Sequence, residues 1–468
     1  MTRAAFAAKL ALMSMELADQ ETAPEATTRR LWWAVAVCCG AVAVGSLVFI
    51  EQPLLARAAL VAGVCLTLWL SEAVPPYVPT FVLWALTPLL LQPLSADFRL
   101  GRVMAWAAEP VLALFLGGFT LSVAARRYGL DARVAQAAVR FSQGNGLALL
   151  ALTTLLTAGL SMWLSNVAAV AMMIAALRPL WAKMPADSPL RRALLVGVAM
   201  GGNLGGIATP VGTGPNAIAI AAVSRSQPLS FLSWMAFAVP LTVGLLLATI
   251  VMLRVRFNVS DAVDGHELQS VEMNGGAWAV LLIFVLTIIA WLTEPWHGAP
   301  SAVVALLAAA VLFGSGLLAR EDLNAIDWST LALIAGGISL GNLLEQSGLV
   351  KAAAAFMPWG EVSPFTRIFA LCFISALLAA LMSNTATVTM LIPLAASFDP
   401  APSTAILIAV GASLGVPFVI STPPNAMVYG EGGVKSSDFL WPGLALMFGG
   451  CLLISATGPL VLRWLGIP

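Results

Sequence analysis

The chain of 468 residues is 60% hydrophobic and 10% charged, with a mean hydropathy of +0.93. This argues against a soluble fold and for a polytopic membrane protein, with room for roughly a dozen crossings of about 20 residues. Lys+Arg and Asp+Glu balance at 23 each, so no basic surface suggests a nucleic-acid partner.

In chain order, residues 1–30 read as a cytoplasmic tail without a signal-peptide cleavage pattern, and Met13 and Met15 are alternative starts. Crossings are predicted at 31–50, 54–71, 76–93 and 106–125. Between Arg140 and Arg178 lie 37 uncharged residues containing Ser165-Asn166-Val167. As one helix that run would reach about 55 Å, against a hydrocarbon core of about 30 Å. It therefore reads as a helical hairpin that enters and leaves by one face, with Ser-Asn near its tip, buried in protein or lining a wet cavity. The crossing at 193–224 is interrupted by Thr209-Pro210-Val211-Gly212-Thr213-Gly214-Pro215 and is expected to unwind midway, because proline removes amide donors.

The second half predicts crossings at 232–253, 277–293, 300–319 and 328–346, after a polar loop at 257–276. A second long run, 31 uncharged residues between Arg367 and Asp399, carries Ser383-Asn384-Thr385 at its middle. At about 46 Å it too exceeds the core and reads as a hairpin. Crossings at 401–430, broken by Ser421-Thr422-Pro423-Pro424, and at 440–462 complete the chain. The expected fold is all-α and polytopic, with about 11 transmembrane helices and two re-entrant hairpins.

The polar islands recur in order. Asn166 and Asn384 are 218 residues apart, Asn216 and Asn425 are 209 apart, and Gly117-Gly118 and Gly336-Gly337 are 219 apart. With the N-terminus inside, 16 of the 23 Lys/Arg fall on the cytoplasmic face, Arg126, Arg127, Arg178, Arg191, Arg192 and Arg256 among them. Five crossings then separate the two Ser-Asn motifs, so the repeats are inverted and the hairpins meet near the midplane, as in secondary transporters. A lone Ser-Asn is usually a packing contact; two copies, each followed by a Pro-Asn break, favour one site made of two half-sites. The glycine pairs read as close helix packing. Glu72 fits a gate or a structural cap, Glu109 and Glu345 are interfacial, and His266 and His297 are solvated loop residues. Cys38, Cys39, Cys65, Cys372 and Cys451 have no metal-ligand spacing.

The paired Ser165-Asn166-Val167 and Ser383-Asn384-Thr385, with Gly212-Thr213-Gly214-Pro215-Asn216 and Thr422-Pro423-Pro424-Asn425, resemble the motifs of the divalent anion:sodium symporter family. Ser71-Glu72-Ala73-Val74-Pro75 and Phe115-Leu116-Gly117-Gly118-Phe119 add to the likeness, which runs from about Leu54 onward. The resemblance implies a homodimeric elevator in a lipid bilayer, the bacterial inner membrane, that carries a C4-dicarboxylate with Na⁺. It implies scaffold helices at 31–130 and 277–350 and a transport domain at 131–256 and 351–468. It also implies one Na⁺ at Ser161, Ser165, Asn166 and the Gly212 backbone, and a second at Asn384 with Ala379, Met382 and Ser421. Substrate would meet Asn166, Thr213, Asn384, Thr385 and Thr422, with Val167 and Pro423 at matching positions. Val167 stands where the motif has threonine and Gly214 where the second copy has Pro423, so the half-sites are chemically unequal. Ser161 has Ala379 as its counterpart, which makes the first cation site the stronger.

The rival readings are a Na⁺-independent exchanger, or a carrier of sulfate, a sulfonate or another oxyanion. An integral-membrane enzyme is disfavoured because no His/Asp/Glu cluster lies in the apolar core, and a channel because the hairpins enclose one site.

Overall fold

The computed structural model describes residues 33–71, 73–130, 133, 141–181, 184–185, 187–224, 227, 229–259, 274–354, 362–396 and 399–467. The N-terminal tail, Glu72 and His266 lie outside them. Within the described residues the chain is helical and contains no strand. In the first half, α1 is Trp33–Phe49, α2 Pro53–Ser71, α3 Val78–Leu91, α4 Leu100–Ala105 and α5 Pro110–Arg127. There follow α6 Gly146–Ser161, α7 Asn166–Trp181, α8 Pro189–Gly205, α9 Gly214–Val223 and α10 Phe231–Phe257. In the second half, α11 is Gly275–Leu292, α12 Ser301–Gly314, α13 Trp328–Gln346, α14 Leu349–Ala354 and α15 Pro364–Leu381. The chain ends in α16 Asn384–Ala396, α17 Pro402–Ala412, α18 Pro423–Gly430 and α19 Ser436–Trp464.

Local chemistry sets many of these starts. Asn145, Ser230, Asn274 and Ser363 cap α6, α10, α11 and α15 by accepting from amides three residues on, which satisfies donors the helix cannot. Proline opens α5, α8, α15 and α17, where its missing N–H costs nothing. Five helices are long and apolar enough to cross a bilayer: α5, α10, α11, α15 and α19. The run at 300–319 yields a helix of 14 residues, and the short α4 and α14 answer to no predicted span.

The repeats pack reciprocally. In one body α5 lies on α12, and α13 lies on α3. The first contact is close because the space of a Cβ on Gly117 is filled by the Ala305 backbone. At the second, Thr80 fills the equivalent space on Gly336 and donates to the Ala332 carbonyl at 2.9 Å. The glycine pairs are thus the packing devices expected of them. In the other body α6 packs on α8 and α15 on α17, while α10 and α19 brace the two pairs. The repeats also cross: α9 packs on α16 and α17, and α18 on α7 and α8.

Four of the arginines assigned to one face bind Glu431 or Asp438. Arg178 forks onto Glu431, and Arg192 onto the fully buried Asp438, both at 2.5 Å at closest. Arg256 reaches that same Asp438 at 3.6 Å. Arg367 pairs with Asp399 at 3.0 Å; both bound the second long uncharged run.

Candidate substrate and cation site

Each long uncharged run folds as two helices joined by a few residues. The arms α6 and α7 have 16 residues each and contact one another. At about 1.5 Å per residue such an arm extends about 24 Å, short of a full crossing. The second pair, α15 and α16, turns at Met382-Ser383. Ser165 and Ser383 sit at the starts of α7 and α16, where their hydroxyls accept from Ala168 N at 3.2 Å and Ala386 N at 3.5 Å. The predicted breaks are present too. The chain between α8 and α9, and between α17 and α18, leaves the helical path for several residues.

The Pro-Asn asparagines hold these breaks. Asn216 donates through Nδ2 to the Gly206 and Thr209 carbonyls at 2.9 and 2.8 Å. Asn425 does the same to Val416 and Phe418, at 3.0 and 2.9 Å. Both are fully buried and tie up carbonyls that unwinding frees, as buried acceptors require. Asn203 donates to Asn425 Oδ1 at 2.9 Å. Its counterpart is Ser413, which turns back to the Ala409 carbonyl, and Asn216 Oδ1 has no partner among the described residues.

Contacts give the repeat register more finely than the motifs alone. Gly201 and Gly205 press on the Thr154 and Ala158 carbonyls, and Gly411 and Gly415 on those of Cys372 and Ala376. The first copy therefore carries one extra residue within its break, between Gly205 and Asn216. A Cβ on Gly206 would lie 2.5 Å from Asn166 Oδ1 and 3.1 Å from the Gly212 carbonyl. Beside it, Ser161 Oγ lies 2.8 Å from Asn166 Oδ1 and 2.6 Å from the Gly202 carbonyl. One hydroxyl proton serves both acceptors, so at least one oxygen is left without a hydrogen. A close group of oxygens with too few protons suits a hard cation. Ser161, Asn166 and Gly212 thus lie close together, whereas Ser165 is engaged at the α7 start.

The second half-site is sparser. Asn384 Oδ1 is buried without a partner among the described residues, and Ala379 is fully buried with no side-chain oxygen to match Ser161. Ser421 Oγ donates to the Ala380 carbonyl and accepts from Phe418 N, both at 3.0 Å. Met382 ends α15 in extended backbone.

For the anion, four helix starts belong to the two hairpin tips and two breaks: α7, α9, α16 and α18. Thr385 lies against the first residue of α9, with its Oγ1 2.5 Å from where a Gly214 Cβ would be. Thr213 caps α9 by position, but its side chain makes no capping bond and is partly exposed. Thr422 differs: its hydroxyl accepts from Asn425 N at 3.3 Å and the residue is 4% exposed. Val167 is 42% exposed, and Pro423 is exposed. A cavity of about 430 Å³ opens beside the second tip, lined by Trp69, Pro75, Pro76, Leu333, Ser383 and Ala386. The Ala73-Val74-Pro75 motif forms part of its wall.

An aromatic stack at the first tip has no counterpart in the motif reading. Trp163, Phe231 and Trp291 lie with their planes within 12° of parallel and centroids 4.8 to 6.1 Å apart. Phe284 meets Trp163 edge-on at 6.3 Å. Its Trp291 alone belongs to a repeated pattern, Trp69-Leu70-Ser71-Glu72 recurring as Trp291-Leu292-Thr293-Glu294. The two indoles make matching bonds, to the Pro76 and Ser301 carbonyls at 3.0 Å. His297 is exposed and held within its own turn. Among the described residues no cluster of His, Cys, Asp or Glu could bind a metal.

The repeated hairpins and two broken helices, with Ser-Asn and Pro-Asn at their tips, are those of a membrane transporter rather than an enzyme, as its family shows. The chain belongs to the citrate-transporter family, whose model matches residues 66–408, and with it to the divalent anion:sodium symporter type that its motifs resemble. An uncharacterized transporter of Haemophilus influenzae is 29% identical over 83% of this chain and 88% of its own length. The sodium-dependent dicarboxylate transporter SdcS of Staphylococcus saprophyticus is 26% identical, over 79% of each chain. The inorganic phosphate transporter PHO87 of Saccharomyces cerevisiae is 28% identical over 62% of this chain, which spans 32% of that longer protein. In fold, the chain is similar to the YdaH transporter of Alcanivorax borkumensis, with TM-score 0.59 and 15% identity over 79% of this chain and 89% of that one.

Proposed function

We propose that the protein is a Na⁺-coupled secondary transporter of small organic anions, with a C4-dicarboxylate such as succinate the substrate to test first. The observation that carries this is the joint build of hairpin tips and broken helices, in which Thr385 of one repeat rests on the start of α9 in the other. Helix starts supply amide donors for an anion, and the oxygen group at Ser161, Asn166 and Gly202 suits a cation. No arginine or lysine belongs to the four motifs, so bound Na⁺ itself would provide positive charge facing the substrate.

In this reading the hairpins are re-entrant, one from each face, and the N-terminus is cytoplasmic in a bacterial inner membrane. Residues 131–256 and 351–468 form a transport domain that moves as an elevator against a scaffold of 31–130 and 277–350, in a homodimer. The similarity to a phosphate transporter favours one alternative, an inorganic or sulfur oxyanion as cargo.

The test is uptake into proteoliposomes with and without an inward Na⁺ gradient, across dicarboxylates, citrate, phosphate and sulfate. Na⁺-dependent succinate uptake is expected, abolished in Asn166→Ala and in Asn384→Ala while both remain folded. Equal uptake without Na⁺ that needs a trans anion would establish exchange instead, and near-normal uptake by either variant would remove that asparagine from the site.

A further inference from the structure

We infer that the two ends of the transported anion are read unequally. The end held at Thr385, Thr213 and the start of α9 must be anionic. The end held at Val167 and the start of α18 accepts an uncharged group. This rests on the site assignment proposed above and adds to it which half sets specificity.

The argument compares matched positions. Thr385 in α16 faces Gly214, which opens α9; their counterparts are Val167 in α7 and Pro423 in α18, helices that also pack together. At the first pair a carboxylate meets the Thr385 hydroxyl, the uncommitted Thr213 hydroxyl and the Gly214 amide. At the second, valine has no hydroxyl and Pro423 and Pro424 have no amide hydrogen. Thr422 is turned onto Asn425 N and is 4% exposed, whereas Thr213 makes no such bond. The second pair has therefore lost at least two donors relative to the first. Val167 is also 42% exposed at this point, an apolar surface where the matching residue is polar. Desolvating a carboxylate against valine and proline is unfavourable, while a methyl or methylene group is welcome there. Each hydrogen bond to a charged group is worth roughly ten- to a hundredfold in affinity, enough for two missing donors to decide which end must carry charge.

The experiment measures competition by succinate and by its monomethyl ester against radiolabelled succinate uptake in proteoliposomes. In the native protein the monoester should compete within about threefold of succinate, and in Val167→Thr it should fall behind by at least about tenfold as the restored hydroxyl rewards the second carboxylate. Val167→Ala should stay permissive. Thr385→Val should lose both ligands, and Na⁺-induced thermal stabilisation would show that it is folded. A native protein that disfavours the monoester as strongly as Val167→Thr overturns the inference and leaves the transport assignment standing. Uptake of neither succinate nor any other diacid would overturn both.

Discussion

Ser161 and Ala379 are the residues at which the two half-sites differ most simply. Each stands four positions before the serine that opens its hairpin's second arm, and Ser161 ends α6, so its hydroxyl faces that start across the turn of the tip. In the first copy it reaches Asn166 Oδ1; in the second, Asn384 Oδ1 is left buried and unpartnered. In the proposed site the first copy therefore has a side-chain oxygen that the second lacks, and Gly206 brings the break close to Asn166. Ser161→Ala should raise the Na⁺ concentration for half-maximal uptake by roughly tenfold, the scale seen when a group supporting a metal site is removed. Ala379→Ser should be tolerated in folding and lower that concentration, since its hydroxyl would meet an unpaired carbonyl oxygen. Na⁺ titration of uptake checks both, with a native Hill coefficient near one. Steep cooperativity, or an unchanged titration in Ser161→Ala, would contradict the asymmetry.

At the scale of elements, the hairpins and breaks were legible because each leaves a one-dimensional trace: an uncharged run too long for a crossing, or prolines within an apolar one. The roles of Asn216 and Asn425 were not, because their carbonyl partners lie seven to ten residues back across an irregular path that no periodicity describes. Thr422 as a cap, and the extra residue in the first break, likewise emerge only from distances. The Trp163 stack was hidden for the same reason, since its three rings come from 163, 231 and 291. It fixes the first hairpin tip against α11, which the proposed division assigns to the scaffold. The position matching Trp163 is Leu381, which is 62% exposed, and a cavity lies beside the second tip instead. The first tip is thus clamped and the second is not. Aromatic pairs contribute about 0.5–1.5 kcal/mol each beyond burial, so Trp163→Ala should depopulate this arrangement by roughly tenfold or more. A cysteine at 284 in a Cys-free background should then label correspondingly faster with an aqueous thiol reagent. Trp163→Phe should label at the native rate, and identical rates in all three proteins would show that the stack does not hold the tip.

At the scale of the whole molecule, the long-range hydrogen bonds fall mostly within the two bodies of the proposed division rather than between them. Within the proposed scaffold, hydrogen bonds join distant helices: Thr80 to the Ala332 carbonyl, Trp84 to Ser339, and Tyr128 to the Leu317 carbonyl, at 2.9 to 3.0 Å. Within the proposed transport body, Asn203 bonds Asn425 and Arg192 bonds Asp438. Away from the aromatic stack and the Phe231 N–Glu294 carboxylate bond at the first tip, the contacts between the bodies include small residues of α5 and α13. Gly118 faces Val211 at 3.4 Å from its ideal Cβ position, and Gly337 faces Thr389 Oγ1 at 2.6 Å and Ile218 at 3.0 Å. Such a boundary suits sliding of one packed surface over another, because it carries few directional bonds to break. It also makes the glycine face a place where bulk should arrest motion without touching the ligands. Gly118→Ala adds a Cβ at ordinary contact distance and should transport normally. Gly337→Val puts branched carbons where Thr389 and Ile218 already sit. It should retain stabilisation by Na⁺ and succinate in a thermal assay, yet lose at least about tenfold in uptake, the signature of a conformational rather than a binding defect. If Gly337→Val carries substrate at the native rate, the two bodies do not move past each other along α13; if it loses binding in parallel with uptake, the glycine supports the site and not the motion.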